Sequence, residues 1–305
     1  MFPTKVLVAV DGSAESARAA RMAVTLSNSL DSELQVVHVG LIPSAPLESA
    51  ILGPRFQGRM RERVERSARE RLEEQVREIG EAGGRIAEAH ARVGRPDAEI
   101  VHLAEELGAG LLVVGSRGFG AFKRALMGSV SSSVVRHARG SVLVVRGDGR
   151  GEREYLPGRI LLAFDGSKEA VAARAAAVEI AGGTGSELHI LYVLQTQQYM
   201  PYQGPEVREG WRASLERAKR YARSFVNEQA KRIEAEGGKV AGAHAAFGKP
   251  DDEIVKLSEE LDAGLIVMGS RGLGGVRRAL MGSVSDSVVR HAHRPVMVAR
   301  RAEGP

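Results

Sequence analysis

The chain has 305 residues, a net charge of +5 and no cysteine. That composition excludes disulfides, thiol catalysis and cysteine-ligated zinc, and it suits a reducing compartment. No apolar run approaches the ~20 residues that cross a bilayer, and the start MFPTKVLVAV lacks a basic segment followed by a long apolar core, so a cytoplasmic protein without membrane or signal segments is expected.

The elements read as follows. Val6–Val10 is a short β-branched strand. Asp11-Gly12-Ser13 turns the chain, and Ser13 can cap a helix running to about Leu30. Glu33–Val39 is a second strand, followed by a proline-containing loop to Pro54. In RMRERVERSARERLEEQVRE (59–78) acids and bases interleave around an apolar stripe of Met60, Val64, Ala68, Leu72, Val76 and Ile79. This is the pattern of an amphipathic helix with a solvated charged face. With aromatics at 4%, the basic excess gives no reason to expect a nucleic-acid partner. Arg85–Val93 is a third strand, Pro96 opens a helix, Leu111–Val114 is a fourth strand, and a glycine-rich loop leads to a helix at 129–137 and a fifth strand, Val142–Val145.

Strands alternating with helices imply a parallel sheet covered on both faces. Strands one and four are almost wholly apolar, as central strands should be. Strand three alternates Ala87, Ala89, Ala91 and Val93 with Glu88, His90 and Arg92, as an edge strand does. The expected fold is therefore α/β, a doubly wound five-stranded sheet of order 3-2-1-4-5. That order opens a crevice at the carboxyl ends of strands one and four, where Asp11 and Gly115 lie.

The whole pattern occurs twice at an offset of 154 residues. GSRGFGAFKRALMGSVSSSVVRH (115–137) and GSRGLGGVRRALMGSVSDSVVRH (269–291) agree at 18 of 23 positions. VLVAVDGS (6–13) matches ILLAFDGS (160–167). Two homologous domains of about 145 residues follow, each large enough for its own core: 1–146 and 159–305, joined by the linker 147–158. The fifth strands are strongly apolar for an edge. The two halves are therefore expected to pair within one chain through these strands, and homodimers to form through other faces. The stretches after strand two, Leu41–Gly53 and Gln195–Gly210, are unlike, the second carrying Tyr199 and Tyr202.

The loop suits phosphate. Gly115 and Gly118 leave a strand end where a ligand can approach backbone closely. Gly128-Ser129 then opens a helix whose free N–H groups and dipole favour an anion. Arg117, Lys123 and Arg124 add positive charge, as do Arg271, Arg277 and Arg278. Neither the Walker loop nor the dinucleotide fingerprint is present.

G-x-x-G, nine residues, then G-S resembles the nucleotide-binding signature of the universal stress protein family, in its ATP-binding branch. Gly118 to Gly128 and Gly272 to Gly282 each enclose nine residues. The VLVAVDGS opening and the SVLVVR and PVMVAR endings are similar to the same family. The resemblance covers the chain twice and implies a Rossmann-like fold of the adenine nucleotide alpha hydrolase kind. It implies that Asp11 and Asp165 reach the ribose beside Gly12 and Gly166, and that the backbone of Val39 and Val193 meets adenine. Gly115, Ser116, Gly118, Gly128, Ser129 and Val130 would cradle phosphate, as would Gly269, Ser270, Gly272, Gly282, Ser283 and Val284, with Arg117 and Arg271 beside it. Two ATP sites per chain follow from two complete copies.

Plainer roles compete. Asp11 can simply cap its turn, and His137 and His291 can satisfy carbonyls in a last helical turn. No metal cage or catalytic residue is evident; magnesium can arrive with ATP, held by phosphate oxygens. The resemblance implies a stress-response regulator acting through nucleotide occupancy, with a protein partner that the sequence does not name. The alternatives are an ATP-hydrolysing or adenylate-transferring enzyme and a ligand-free scaffold.

Overall fold

The computed structural model describes residues 3–42, 54–118, 127–147, 157–195, 205–273 and 281–301. Lys123, Arg124, Arg277, Arg278, Tyr199 and Tyr202, and most of the expected linker, lie outside these residues. The chain divides into two compact units, residues 2–155 and 156–301.

In the first unit β1 (Lys5–Ala9), β2 (Glu33–Gly40), β3 (Ile86–Val93), β4 (Leu111–Gly115) and β5 (Ser141–Val145) alternate with four helices. The helices are α1 (Ala14–Leu30), α2 (Pro54–Glu81), α3 (Pro96–Leu107) and α4 (Ser129–His137). The strands are parallel in the order β3-β2-β1-β4-β5. Val6, Leu7 and Val8 of the central strand have no exposed surface, which is why that run needed no polar alternation. β3 closes one side of the unit, as expected of an edge, but its burial does not alternate: Ala87, Glu88 and Ala89 are all exposed and the remaining residues half-buried.

Local chemistry explains the element ends. The Ser13 hydroxyl accepts from the Ser16 amide at 3.2 Å and caps α1. Asp31 takes the left-handed conformation, φ 51°, to end it. α2 buries Ala68, Leu72 and Ile79 of the expected stripe and, among the described side chains, turns most of its Arg and Glu residues to solvent.

The second unit repeats this with β6 (Arg159–Ala163), α5 (Lys168–Thr184), β7 (Glu187–Leu194), α6 (Pro205–Ala235), β8 (Gly242–Phe247), α7 (Pro250–Glu260), β9 (Leu265–Gly269), α8 (Ser283–His291) and β10 (Val296–Ala299). Its order, β8-β7-β6-β9-β10, is the same arrangement. One expectation is corrected. The loop after the second copy's strand two was read to Gly210, but α6 begins at Pro205, a residue pre-set for a first helical turn. Among the described residues no helix is long and apolar enough to cross a membrane.

Candidate functional site

At the carboxyl ends of β1, β2 and β4 the first unit opens a cleft of about 1110 Å³, ample for a nucleotide-sized ligand. It brings together Asp11, Val39, Gly115, Arg117, Gly118 and Gly128–Val130 from the expected set. Residues spread over 120 positions meet there because the strand order reverses between β1 and β4.

The turn after β1 depends on Gly12, whose φ of 83° is left-handed; Gly166 has 84° in the second unit. The turn aims the Asp11 carboxylate across the crevice. One of its oxygens accepts the Ser13 amide at 2.9 Å. The other faces Gly118 so closely that a Cβ there would sit 2.3 Å from Oδ2. Gly272 stands in the same relation to Asp165, at 2.6 Å. A side chain at either glycine would push the carboxylate aside. The G-x-x-G spacing thus serves a contact between two loops as well as room for a ligand.

The start of α4, where phosphate is expected from the sequence, forms another side of the cleft. Its cap residue Gly128 is extended and no side chain caps the first-turn amides. The Gly128 amide donates to the Ser116 carbonyl at 2.8 Å, which holds the helix start against the end of β4. Ser131 Oγ donates to the same carbonyl at 2.9 Å. In the second unit Gly282 and Ser285 make the same pair of bonds to Ser270, both at 2.8 Å. Both units therefore fasten an uncapped helix N-terminus to the end of the neighbouring strand.

Glu15 was not singled out from the sequence. It is almost fully buried in the first turn of α1. Its carboxylate accepts Arg117 Nη2 at 2.7 Å, Arg18 Nη2 at 3.0 Å and the Ser116 hydroxyl at 3.3 Å. Arg117 is thus fastened to α1 while still lining the cleft. In the second unit Arg271 pairs with Glu169 at 3.1 Å. A signal was present: DGSAE and DGSKE put the glutamate at the same repeat position. Cations crowd behind both loops. Burial and the neighbouring Arg117 lower the affinity of Arg146 for its proton. Burial and Arg271 push Arg300 down to about 10. An incoming anion relieves such crowding.

A serine, a histidine and an aspartate also meet at the α3–α4 contact. Ser133 Oγ donates to Asp97 Oδ2 at 2.8 Å and lies 3.2 Å from His137 Nδ1. The proton order is wrong for a nucleophile. The serine proton points at the carboxylate, and His137 Nδ1 donates to the Ser133 carbonyl at 2.8 Å. With that proton in place Nδ1 cannot serve as base for Ser133. Ser287, Asp251 and His291 repeat the arrangement. Burial pushes the Asp97 carboxyl up, but hydrogen bonds from Ser133 and Arg95 outweigh it and hold the group below its ordinary value.

Four histidines are held below their ordinary value of 6.5, chiefly by burial: His38, His90, His189 and His244. His38 donates Nδ1–H to the Val10 carbonyl at 2.8 Å, and Arg71 further opposes its protonation. His189 and His244 share one hydrogen bond of 3.1 Å and cannot both present a proton to it. The unfolded chain therefore binds more protons than the folded one just below pH 6.5, so acid favours unfolding there. Stability should be level above about pH 6.5 and fall as the pH drops below it. Thermal melts across this range test the assignment; a midpoint that rises on acidification would refute it.

The family model described as "Universal stress protein family" matches residues 3–146 and 157–300. A universal stress protein of Mycolicibacterium smegmatis is 32% identical over 305 residues, covering 97% of this chain and 96% of that one. A putative universal stress protein of Staphylococcus aureus is 35% identical over 147 residues, 48% of this chain and 86% of its own. The crystal structure of a universal stress protein from Archaeoglobus fulgidus superposes with a TM-score of 0.70 at 26% identity, covering 99% of this chain and all (100%) of that one. With two family matches and a full-length relative, this chain belongs to the universal stress protein family as a tandem member.

Proposed function

We propose that the chain binds ATP in the crevice of its first unit and acts as a stress-response regulator through nucleotide occupancy. One observation carries the reading: Asp11, Gly118 and the uncapped start of α4 converge on a single cleft with arginines behind it. The residues fit the ligand. Asp11 would take ribose hydroxyls, the Val39 backbone the base, and the amides of Ser129 and Val130 the phosphates, with Arg117 beside them. Asp165, Gly166, Val193, Gly269–Gly272 and Gly282–Val284 hold the corresponding positions of the second unit. Magnesium would come with the nucleotide. A homodimer and a protein partner for the nucleotide-bound form belong to the same proposal.

Mass spectrometry of the gently denatured, purified protein tests it. Co-purified ATP is expected; a chain that carries no adenine nucleotide and takes none up in calorimetry would falsify the reading. Turnover is expected to be slow. The serine–histidine pairs are spent on helix contacts, and a phosphate cradle alone supplies little barrier lowering. A steady-state rate near the ordinary enzyme median of ~10 per second would instead make the protein an ATP-consuming enzyme.

A further inference from the structure

The first unit's cleft and the corresponding face of the second unit share a helix start but not a wall. In the first unit Val10, His38, Ser67 and Arg71 line the cleft. The repeat offset of 154 places Phe164, Tyr192, Tyr221 and Phe225 at these four positions. All four change to aromatic, and they come from three separate places: the end of β6, the end of β7 and two turns of α6.

The rings pack on one another. Phe225 stacks on Phe164 with centroids 6.1 Å apart and on Tyr221 at 6.0 Å, and Tyr192 meets it tilted at 4.8 Å. Offset and tilted contacts at these distances are the favoured ones for aromatic pairs. The Phe225 ring also reaches across from α6 to the turn after β6. Its Cζ lies 3.3 Å from where a Cβ on Gly166 would sit, one residue from Asp165. The first unit has a flexible arginine, a small serine and a histidine at three of these places. The arginine and the serine can be rearranged around a polar ligand, whereas the Phe164, Tyr192 and Phe225 rings, with Tyr221 exposed at the cluster's rim, yield only by giving up their mutual contacts.

Asp165 is held by the backbone of its own unit. Its Oδ1 accepts the Ser167 amide at 2.9 Å, and its Oδ2 accepts the Leu273 amide of the glycine loop at 3.1 Å. The carboxylate at the ribose position is thus bonded on both oxygens by backbone of its own unit.

We infer that the chain takes one adenine nucleotide, in the first unit, and that the Phe164–Tyr192–Tyr221–Phe225 cluster excludes the nucleoside from the second. This rests on the nucleotide reading proposed above. The second unit keeps a helix start able to hold phosphate, so the cluster acts as a selectivity element.

Calorimetric titration of the full chain with ATP and magnesium tests this. One ATP per chain is expected, and Gly128→Glu should reduce it to none. The combined variant Phe164→Val, Tyr192→His, Tyr221→Ser and Phe225→Arg should bind two. Phe225→Ala, a milder change that serves if the combined variant does not fold, should also admit a second, weaker ATP. Two ATP in the parent chain, or one retained by a folded Gly128→Glu chain, overturns the inference and leaves the nucleotide reading standing. No ATP in the parent chain removes both. Unchanged single occupancy in folded aromatic-cluster variants shows that the rings are not what excludes the nucleoside.

Discussion

Replacing Glu15 with alanine should cost the protein about 3 kcal/mol of stability, the lower end for breaking a buried ion pair. Glu15 is 6% exposed and holds Arg117, Arg18 and Ser116 at once. Without it two guanidinium groups lose their shared partner near the buried Arg146. The lower end applies because the Arg117 and Arg18 side chains keep 24% and 30% of their surface in water, which screens what is lost. Glu169→Ala should cost less, about 1 kcal/mol. That side chain is 22% exposed and its arginine partner 35%. Urea unfolding of the two variants reads the difference. Equal losses would mean that the loop is not anchored through Glu15. ATP affinity should fall with Glu15→Ala as well, since Arg117 then has no fixed place.

Gly115→Val should be comparably damaging, about 3 kcal/mol, at the upper end for overpacking a core. A Cβ at this position would lie 2.8 Å from the Glu15 carbonyl carbon, 2.9 Å from the Ser16 amide nitrogen and 3.0 Å from the Glu15 oxygen. These are backbone atoms of the first turn of α1 and cannot swing away as a side-chain tip can. The helix must retreat from β4, taking the Ser13 cap and Glu15 with it. Gly269→Val meets the same obstacle in Ala170 and Glu169. Gly128→Ala is the control. Its nearest neighbours stand at 3.3 to 3.5 Å and its backbone is ordinary extended chain, so a loss under about 1 kcal/mol is expected. If chemical denaturation ranks Gly128→Ala as the worse of the two, the packing account of Gly115 is wrong.

Repetition and hydropathy made much of this protein legible before any coordinates. The fixed offset gave two units, the apolar runs at Val6 and Leu111 gave the central strands, and the alternation from Ala87 to Val93 gave an edge. Strand order followed, and with it the meeting of Asp11 with the glycine loop. These features are local or periodic, and burial of a strand is written in its own residues.

Other features depended on apposition between distant segments. That Gly118 must be small because of the Asp11 carboxylate, and Gly115 because of the backbone of α1, is a matter of distances between loops some 100 residues apart. Glu15 and its counterpart Glu169 stand at the same repeat position but drew no reading, because nothing in the sequence around Glu15 says that Arg117 folds back onto it. The aromatic cluster shows the limit most clearly. Phe164, Tyr192, Tyr221 and Phe225 are unremarkable singly, and the repeat that makes the halves look equivalent conceals them. Only packing of α6 over the ends of β6 and β7 gathers the four rings, because side-chain contacts between elements are set by tertiary geometry and leave no period in the chain.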